Sequence, residues 1–262
     1  TLVNHLSEKE YDITLALEKK EGVFLDRLSK KIQVIEYNTS NNKNIFIRKL
    51  HNIGNRVRFI LKYKNKFDFS ASFATYSLAS SFMARTASKN SALWCHADYL
   101  TLYQGNKEEV EAFFKNVHCG EFHHIVFVSK EGTNSFIEVF PELKDKVITC
   151  NNLIDGERIL QKSKEPMIEK DVQELSKKNI PIFLNVGRHD ERQKRLTRVI
   201  EACKQLKQED YQFKVLFIGD GPDTKVYQEK VVEYHLEETI LFLGRKENPY
   251  PYFTISDCII LS

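Results

Sequence analysis

The sequence predicts an α/β fold with two doubly wound, Rossmann-like domains, each built on a parallel sheet. Short β-branched runs alternate with helical patterns almost from one end to the other. Several runs are continuously apolar, which is typical of strands buried on both faces of a helix-covered parallel sheet. The pattern at 193–207 carries one apolar stripe at helical spacing. Strands alternating with amphipathic helices indicate the doubly wound class.

The predicted strands are short runs rich in Val, Ile and Leu. They cover residues 12–17, 32–36, 67–72, 92–95, 124–128, 147–150, 182–186, 214–218, 240–243 and 258–261. A polar stretch at 161–178 contains Pro166 and is followed by Pro181, which indicates an interdomain linker. We therefore predict a first domain at 1–155, a linker at 156–180 and a second domain at 181–262. Because the sequence ends directly after a strand, we expect the second domain to be incomplete.

Composition excludes several classes of protein. The chain has 262 residues, of which 42% are hydrophobic and 29% charged, as in an ordinary soluble globular protein. Its net charge of +3 gives no indication of nucleic-acid binding. The five cysteines form no Cys-x-x-Cys pair, so a zinc cluster or disulfide framework is not expected and a reducing cytosol fits better. We expect no signal peptide, and no uncharged apolar run of about 18 residues that could span a membrane occurs in the sequence.

The strongest local motif follows the strand at 182–186. Gly187 permits a tight turn, Arg188 leaves the strand end with a permanent planar charge, and Lys194 follows at the start of the next helix. Ligands of doubly wound sheets bind at the carboxyl ends of strands, and two cations beside a helix N-terminus suit a diphosphate. The alternative is a solvated basic loop before a surface helix, and the spacing alone does not decide between the two.

A second glycine turn follows the strand at 214–218. Gly219 and Gly221 begin a Gly-x-Gly pattern, but Thr224 occupies the third glycine position of a dinucleotide fingerprint. Taken alone, the motif indicates a tight turn between strand and helix. The sequence contains no Walker A, His-Glu-x-x-His or Gly-x-Ser-x-Gly motif, which removes support for the NTPase, metalloprotease and hydrolase classes with those motifs.

The order of the motifs across 182–262 resembles the donor-binding half of family 4 (group 1) glycosyltransferases, which have the GT-B fold. The matching steps are Gly187-Arg188, Lys194, Gly219-Asp-Gly221-Pro222, Gly244-Arg245-Lys246, the aromatic segment 248–253, Ser256-Asp257 and Ser262. The first half is also similar, through the strand ending at His96, through Ser129, and through 151–155, where Asn152 replaces the usual glycine. The resemblance is to the bacterial surface-polysaccharide type and implies a chain truncated at both ends.

The resemblance implies roles for individual residues. The donor-binding residues would be Gly187, Arg188, Lys194, Gly219, Gly221, Arg245 and Lys246. Arg188 and Lys194 would also act in catalysis, by stabilising charge on the leaving nucleotide. His96 would contact the transferred sugar or orient the acceptor. The residues alone favour a different explanation for His96, a hydrogen-bonded histidine at a strand end.

The resemblance also implies the reaction. A retaining hexosyltransferase would use a UDP- or GDP-sugar without a metal or other cofactor, and the acceptor would be a glycan or lipid-linked saccharide in capsule or surface polysaccharide synthesis. The family's Glu-rich motif would follow Ser262, so we expect this fragment not to turn over substrate. A GT-B nucleotide-sugar epimerase and a non-catalytic nucleotide-sugar-binding module remain alternatives.

A basic stretch lies between Glu36 and Asp68, with eight Lys or Arg residues and no acid. Its apolar residues predict an amphipathic helix at 43–66. One alternative is a helix whose apolar face packs on the sheet and whose basic back is solvated. The other is attachment to an anionic membrane surface. The protein would then be cytoplasmic and bound peripherally to the inner face of the membrane. We expect no nucleic-acid partner, because no aromatic platform accompanies the charges.

Overall fold

A computed structural model describes residues 2–9, 11–22, 25–40, 42–167, 170–175 and 180–261. The chain divides into two compact units, Thr1–Leu153 and Ile154–Ser262. Every strand pair described in either unit is parallel, and helices connect the strands. The predicted α/β class with parallel sheets is therefore confirmed.

The first unit contains a two-stranded sheet and a four-stranded sheet. The strands are β1 (Thr14–Leu17), β2 (Gln33–Glu36), β3 (Ser70–Ser72), β4 (Ser91–Cys95), β5 (His124–Phe127) and β6 (Val147–Thr149). The helices are α1 (Leu2–Glu8), α2 (Ile45–Tyr63), α3 (Leu78–Ala87), α4 (Tyr99–Leu102), α5 (Lys107–Asn116) and α6 (Lys130–Val139). The sheet orders are β1-β2 and β3-β4-β5-β6. Phe114, Phe127 and Phe136 form the centre of an aromatic core.

The second unit has one four-stranded sheet in the order β10-β7-β8-β9. The strands are β7 (Ile182–Val186), β8 (Lys214–Ile218), β9 (Ile240–Gly244) and β10 (Cys258–Ile259). The helices are α7 (Gly156–Ser163), α8 (Lys170–Leu175), α9 (Glu191–Lys194), α10 (Leu196–Gln208), α11 (Thr224–Glu233) and α12 (Tyr250–Thr254). Strand β8 is apolar throughout its centre because Val215 and Phe217 enter one core cluster, while Leu216 and Ile218 enter the cluster on the opposite face.

Each of the ten predicted strand segments contains a strand, most of them shorter than predicted. The segment assigned to a linker contains helices α7 and α8, and the division into units places it with the second sheet. Helix α7 packs against α12, and the Asn248 side-chain amide donates to the Lys162 carbonyl at 2.8 Å.

The continuous helix predicted at 193–207 is wrong, because Arg195 separates α9 from α10. Arg195 has left-handed backbone angles, φ 45° and ψ 40°. The Asp190 side chain caps α9 by accepting from the Arg192 amide at 3.1 Å. The Glu191 carboxylate accepts from the Thr197 amide at 3.3 Å, at the start of α10. Two capping side chains thus favour two helix starts where the apolar pattern indicated one.

Helix α2 confirms the predicted amphipathic helix, and its Asn44 N-cap accepts from the Phe46 and Ile47 amides. The alternative in which its apolar face packs on the sheet is wrong. Only Asn55 and Phe59 are buried on this helix, and most of its large apolar side chains are exposed. No helix within the described ranges is both long enough and apolar enough to cross a bilayer.

Candidate functional site

The candidate site lies where β7, β8 and β9 end. The backbone amide of Gly187 donates to the Ile218 carbonyl at 2.9 Å, and the Gly219 amide donates to the Gly244 carbonyl at 3.0 Å. Because the three strands are parallel and adjacent, the loops that follow them meet at one edge of the sheet. This carboxyl edge is where doubly wound sheets bind ligands.

Gly219 and Gly221 allow the loop after β8 to pack against the loop after β7. A Cβ on Gly219 would lie 1.8 Å from the Gly187 carbonyl oxygen, and Gly219 has a φ of +142°. A Cβ on Gly221 would lie 2.2 Å from the His189 carbonyl oxygen. No larger residue fits either position without moving backbone. The glycine pair therefore has a packing function that the motif alone did not indicate.

Arg188 and Lys194 are both at the end of β7. The Arg188 side chain is exposed in the loop. The Lys194 side chain extends over Gly187, where its Cε would lie only 3.3 Å from a Cβ on that glycine. The structure thus places the two predicted phosphate-binding cations beside the same glycine. A guanidinium and an ammonium at a strand end can bind phosphate oxygens by charge-assisted hydrogen bonds.

Short helix α9, which carries Lys194, is held by contacts with α11. The Asp223 carboxylate accepts from the Glu191 amide at 2.7 Å. The buried Tyr227 hydroxyl donates to the Glu191 carboxylate at 2.9 Å, and burial, with the adjacent Glu191 carboxylate, raises the pKa of Tyr227. These contacts fix the helix from which the Lys194 side chain starts.

His189 is a buried residue that the sequence reasoning missed. Its Nδ1 lies 2.9 Å from the Thr224 hydroxyl, which donates to the Asp220 carboxylate at 2.9 Å and accepts from the Gly221 amide at 3.0 Å. Since the hydroxyl has one hydrogen and two lone pairs, the bond from His189 requires Nδ1 to carry a proton. Burial lowers the pKa of His189, which favours the neutral ring. The sequence signal that could have identified His189 was its position directly after the predicted phosphate-binding residue Arg188.

Asp220 places a carboxylate at the same edge. Hydrogen bonds from the Thr224 hydroxyl and the Gly221 amide lower the pKa of Asp220, and the positive charge of Arg245 also lowers it. The Gly221 amide thus already donates to protein acceptors, at 2.8 Å to Asp220. The exposed Arg188 and the half-buried Lys194 are therefore the groups at this edge best suited to a diphosphate.

The remaining predicted site residues lie in two places. Arg245 follows Gly244 at the end of β9 and is exposed, and Lys246 is half-buried next to it. These residues share the edge with Gly187, whereas His96 belongs to the first unit. His96 is exposed after β4, and its ring centroid lies 5.8 Å from that of Phe73, which stacks on Trp94 at 4.9 Å.

The first unit has an open cavity of about 380 Å³ at the carboxyl ends of β5 and β6. It is lined by Ser129, Lys130, Glu131, Thr149 and Asn151. Two of these residues come from the segments similar to the glycosyltransferase family. Within the part of the chain that the structure describes, no group of three or more His, Cys, Asp or Glu side chains could hold a metal ion.

Residues 166–262 match the family described as glycosyl transferases group 1. Among curated proteins, an uncharacterized glycosyltransferase of Methanocaldococcus jannaschii is 28% identical over 139 residues, which is 53% of this chain and 34% of that protein. The N-acetyl-alpha-D-glucosaminyl L-malate synthase of Bacillus anthracis is 28% identical over 137 residues, or 52% of this chain and 34% of that protein. The group 1 match covers the whole candidate site.

Solved structures show the same fold. HepE of Anabaena, in complex with UDP and glucose, has a TM-score of 0.70 and 14% identity, and the match covers 100% of this chain and 69% of HepE. A glycosyltransferase of Rickettsia africae has a TM-score of 0.66 and 19% identity, covering 99% of this chain and 67% of that one. The α/β fold with parallel sheets is thus that of GT-B glycosyltransferase structures, and the chain matches about a third of the length of its curated relatives.

Proposed function

We propose that this chain is part of a retaining glycosyltransferase of family 4 that transfers a hexose from a nucleotide-diphospho-sugar to a glycan or lipid-linked saccharide. The observation that carries the proposal is the pair formed by Arg188 and Lys194 beside Gly187, within the segment that matches group 1 glycosyltransferases. The motif order across 182–262 and the UDP-bound HepE structures support the same function.

In the proposed reaction, the two cations neutralise charge that develops on the leaving diphosphate. The bond between the anomeric carbon and the diphosphate oxygen breaks, and the acceptor oxygen bonds to the same carbon on the same face. The acceptor proton passes to the departing phosphate oxygen. In this proposal Arg188 and Lys194 stabilise the step, because negative charge increases on the phosphate oxygens that they bind. The reaction as proposed needs no metal ion.

Donor and acceptor contacts complete the proposal. The backbone at Arg245 and Lys246 contacts the nucleotide base, and Gly219 and Gly221 shape the loop beside it. His96 contacts the transferred sugar or orients the acceptor. UDP-glucose is the first donor to test, because a HepE structure with a TM-score of 0.70 contains it. Synthesis of capsule or another surface polysaccharide is the proposed setting, at the cytoplasmic face of a membrane.

Calorimetry with UDP, GDP and their sugars tests the phosphate assignment. We expect Arg188→Ala to weaken diphosphate binding by about 1.5–3 kcal/mol, the usual range for a charge-assisted hydrogen bond. Arg192→Ala is the matched control. Arg192 is also an exposed arginine, and it lies four residues after Arg188, in α9. Equal affinities of the two variants would remove Arg188 from the site.

Product analysis on the longest available form of the protein tests the chemistry. The proposal expects release of the nucleotide diphosphate together with a glycosylated acceptor of unchanged anomeric configuration. Epimerisation of the donor sugar, or nucleotide binding without any transfer, would contradict it. A lipid-linked acceptor also requires access to a bilayer, for which residues 43–66 are the proposed contact.

A further inference from the structure

Helix α2 turns a row of apolar side chains away from the protein. This α2 stripe consists of Phe46, Leu50, Ile53, Val57, Ile60 and Leu61, which are 37–80% exposed. Their spacing of three and four residues aligns them along one side of the helix. An aligned apolar face of this kind on the surface of a folded unit marks an interaction site.

The opposite side of α2 attaches the helix to the first unit. Asn55 and Phe59 are buried, and the Asn55 side-chain amide donates to the Asn38 carbonyl at 2.7 Å. The Phe59 ring packs edge-on against Tyr37 at 5.7 Å. Val57 and Phe59 differ by two residues, which places them about 160° apart around the helix. The α2 stripe is therefore exposed because the helix is anchored through its other face.

Basic residues border the α2 stripe on both sides. At 100° per residue, Lys49 lies just outside the Ile60 edge of the stripe, and Arg58 lies outside the Leu61 edge. Among the residues that the structure describes, no carboxylate forms an ion pair with any of the eight Lys and Arg of residues 37–67. The surface thus combines an apolar centre with uncompensated positive flanks.

We propose that the α2 stripe inserts into the interface of an anionic lipid bilayer, with α2 lying in the membrane plane. The apolar side chains enter the boundary between head groups and acyl chains, and the flanking cations contact lipid phosphates. The inference rests on the membrane contact in the proposed function and makes it specific by naming the inserted face. It does not depend on glycosyl transfer.

The charge pattern favours a bilayer over a second copy of the chain. If two α2 stripes packed together, the flanking cations of one helix would face those of the other, and the stretch between Glu36 and Asp68 has no acid to pair with them. Like charges at these flanking positions destabilise helix pairs. An anionic lipid surface supplies negative charge on both flanks at once.

Co-sedimentation with lipid vesicles tests the proposal. The chain should bind vesicles of mixed phosphatidylcholine and phosphatidylglycerol and not vesicles of phosphatidylcholine alone. Leu50→Ser with Ile53→Ser should weaken binding by about a hundredfold or more, because each inserted side chain contributes a factor of roughly ten or more. The matched control is Val226→Ser with Val232→Ser, two exposed valines of α11 that should leave binding unchanged.

A second variant pair tests the charges. Lys49→Gln with Arg58→Gln should weaken binding roughly 25-fold, at about fivefold for each cation. Lys89→Gln with Lys207→Gln removes the same charge from exposed positions elsewhere and should have little effect.

Tryptophan emission tests insertion directly. The emission of a Leu50→Trp variant should shift to the blue with anionic vesicles, and that of Val232→Trp should not. Equal binding to neutral and anionic vesicles, or no binding at all, would overturn the proposal. A dimer that is lost in the Leu50→Ser, Ile53→Ser variant, without vesicle binding, would assign the stripe to a second copy. Vesicle binding without nucleotide binding would reject the proposed transfer alone.

Discussion

Helices α2 and α10 carry similar apolar stripes and use them in opposite ways. The stripe of α10, formed by Leu196, Val199, Ile200 and Cys203, is 0–6% exposed and packs on the second sheet. The α2 stripe is largely exposed, and the helix attaches through Asn55 and Phe59 on its other side. Amphipathic spacing therefore shows that an apolar face exists, and only the tertiary structure shows what covers it.

The largest effect on stability is expected from glycine substitutions, one at the candidate site of the second unit and one in α2. Gly219→Ala should destabilise the second unit by about 2–6 kcal/mol, from roughly 1–3 kcal/mol of backbone strain and a similar amount of overpacking against Gly187. Gly54 lies within α2, and nothing lies within 4 Å of a Cβ there. Gly54→Ala should instead stabilise the first unit by about 0.5–1 kcal/mol. Urea unfolding measures both, and effects of equal sign would contradict the contrast.

Truncation of the two stripes should give the next largest difference. Ile200→Ala should lower the free energy of unfolding by about 2–5 kcal/mol, because it leaves a cavity in a closed core. Ile53→Ala should change it by less than about 0.5 kcal/mol, because the side chain already contacts solvent. Chemical denaturation of each variant against the parent chain measures the difference. A large loss at Ile53 would mean that the α2 stripe is packed in solution.

The smallest effect concerns pH. Burial lowers the pKa of His189 in the folded state, so the unfolded chain takes up protons more readily below about pH 6.5. The stabilising contribution of His189 is therefore complete above that pH and is lost as the pH falls. His189→Gln should destabilise the chain more at pH 7.5 than at pH 5.5, as followed by thermal unfolding. His5→Gln, at an exposed histidine, is the control, and an equal loss at both pH values would contradict the linkage.

Much of the fold could be predicted because the strands are buried on both faces. Continuous apolar runs located β7 and β8 at the bounds that the structure gives them. The break at Arg195 could not be predicted from apolar spacing, because it depends on the caps formed by Asp190 and Glu191. The direction of the α2 stripe could not be predicted either, because a periodic pattern does not specify which face meets the protein.

Some features of the candidate site could also be predicted from the sequence, and others could not. The motif spacing predicted Arg188 and Lys194 at one strand end, and the Lys194 side chain lies beside Gly187, directly after β7. The packing function of Gly219 depends on a contact with Gly187, far away in sequence, and so was not visible. His189 was missed because its partner, Thr224, lies 35 residues later and approaches only through the fold.

Hydrogen bonds join the ends of β7, β8 and β9. They affect both the association rate of an anion at this edge and the entropy that is lost when it binds. Because folding already orders these loops, a ligand has little chain entropy left to remove when it arrives. We expect these loops to add no ordering step of their own to the association of an anion. Differences in affinity between anions at this edge would then appear mainly in their dissociation rates.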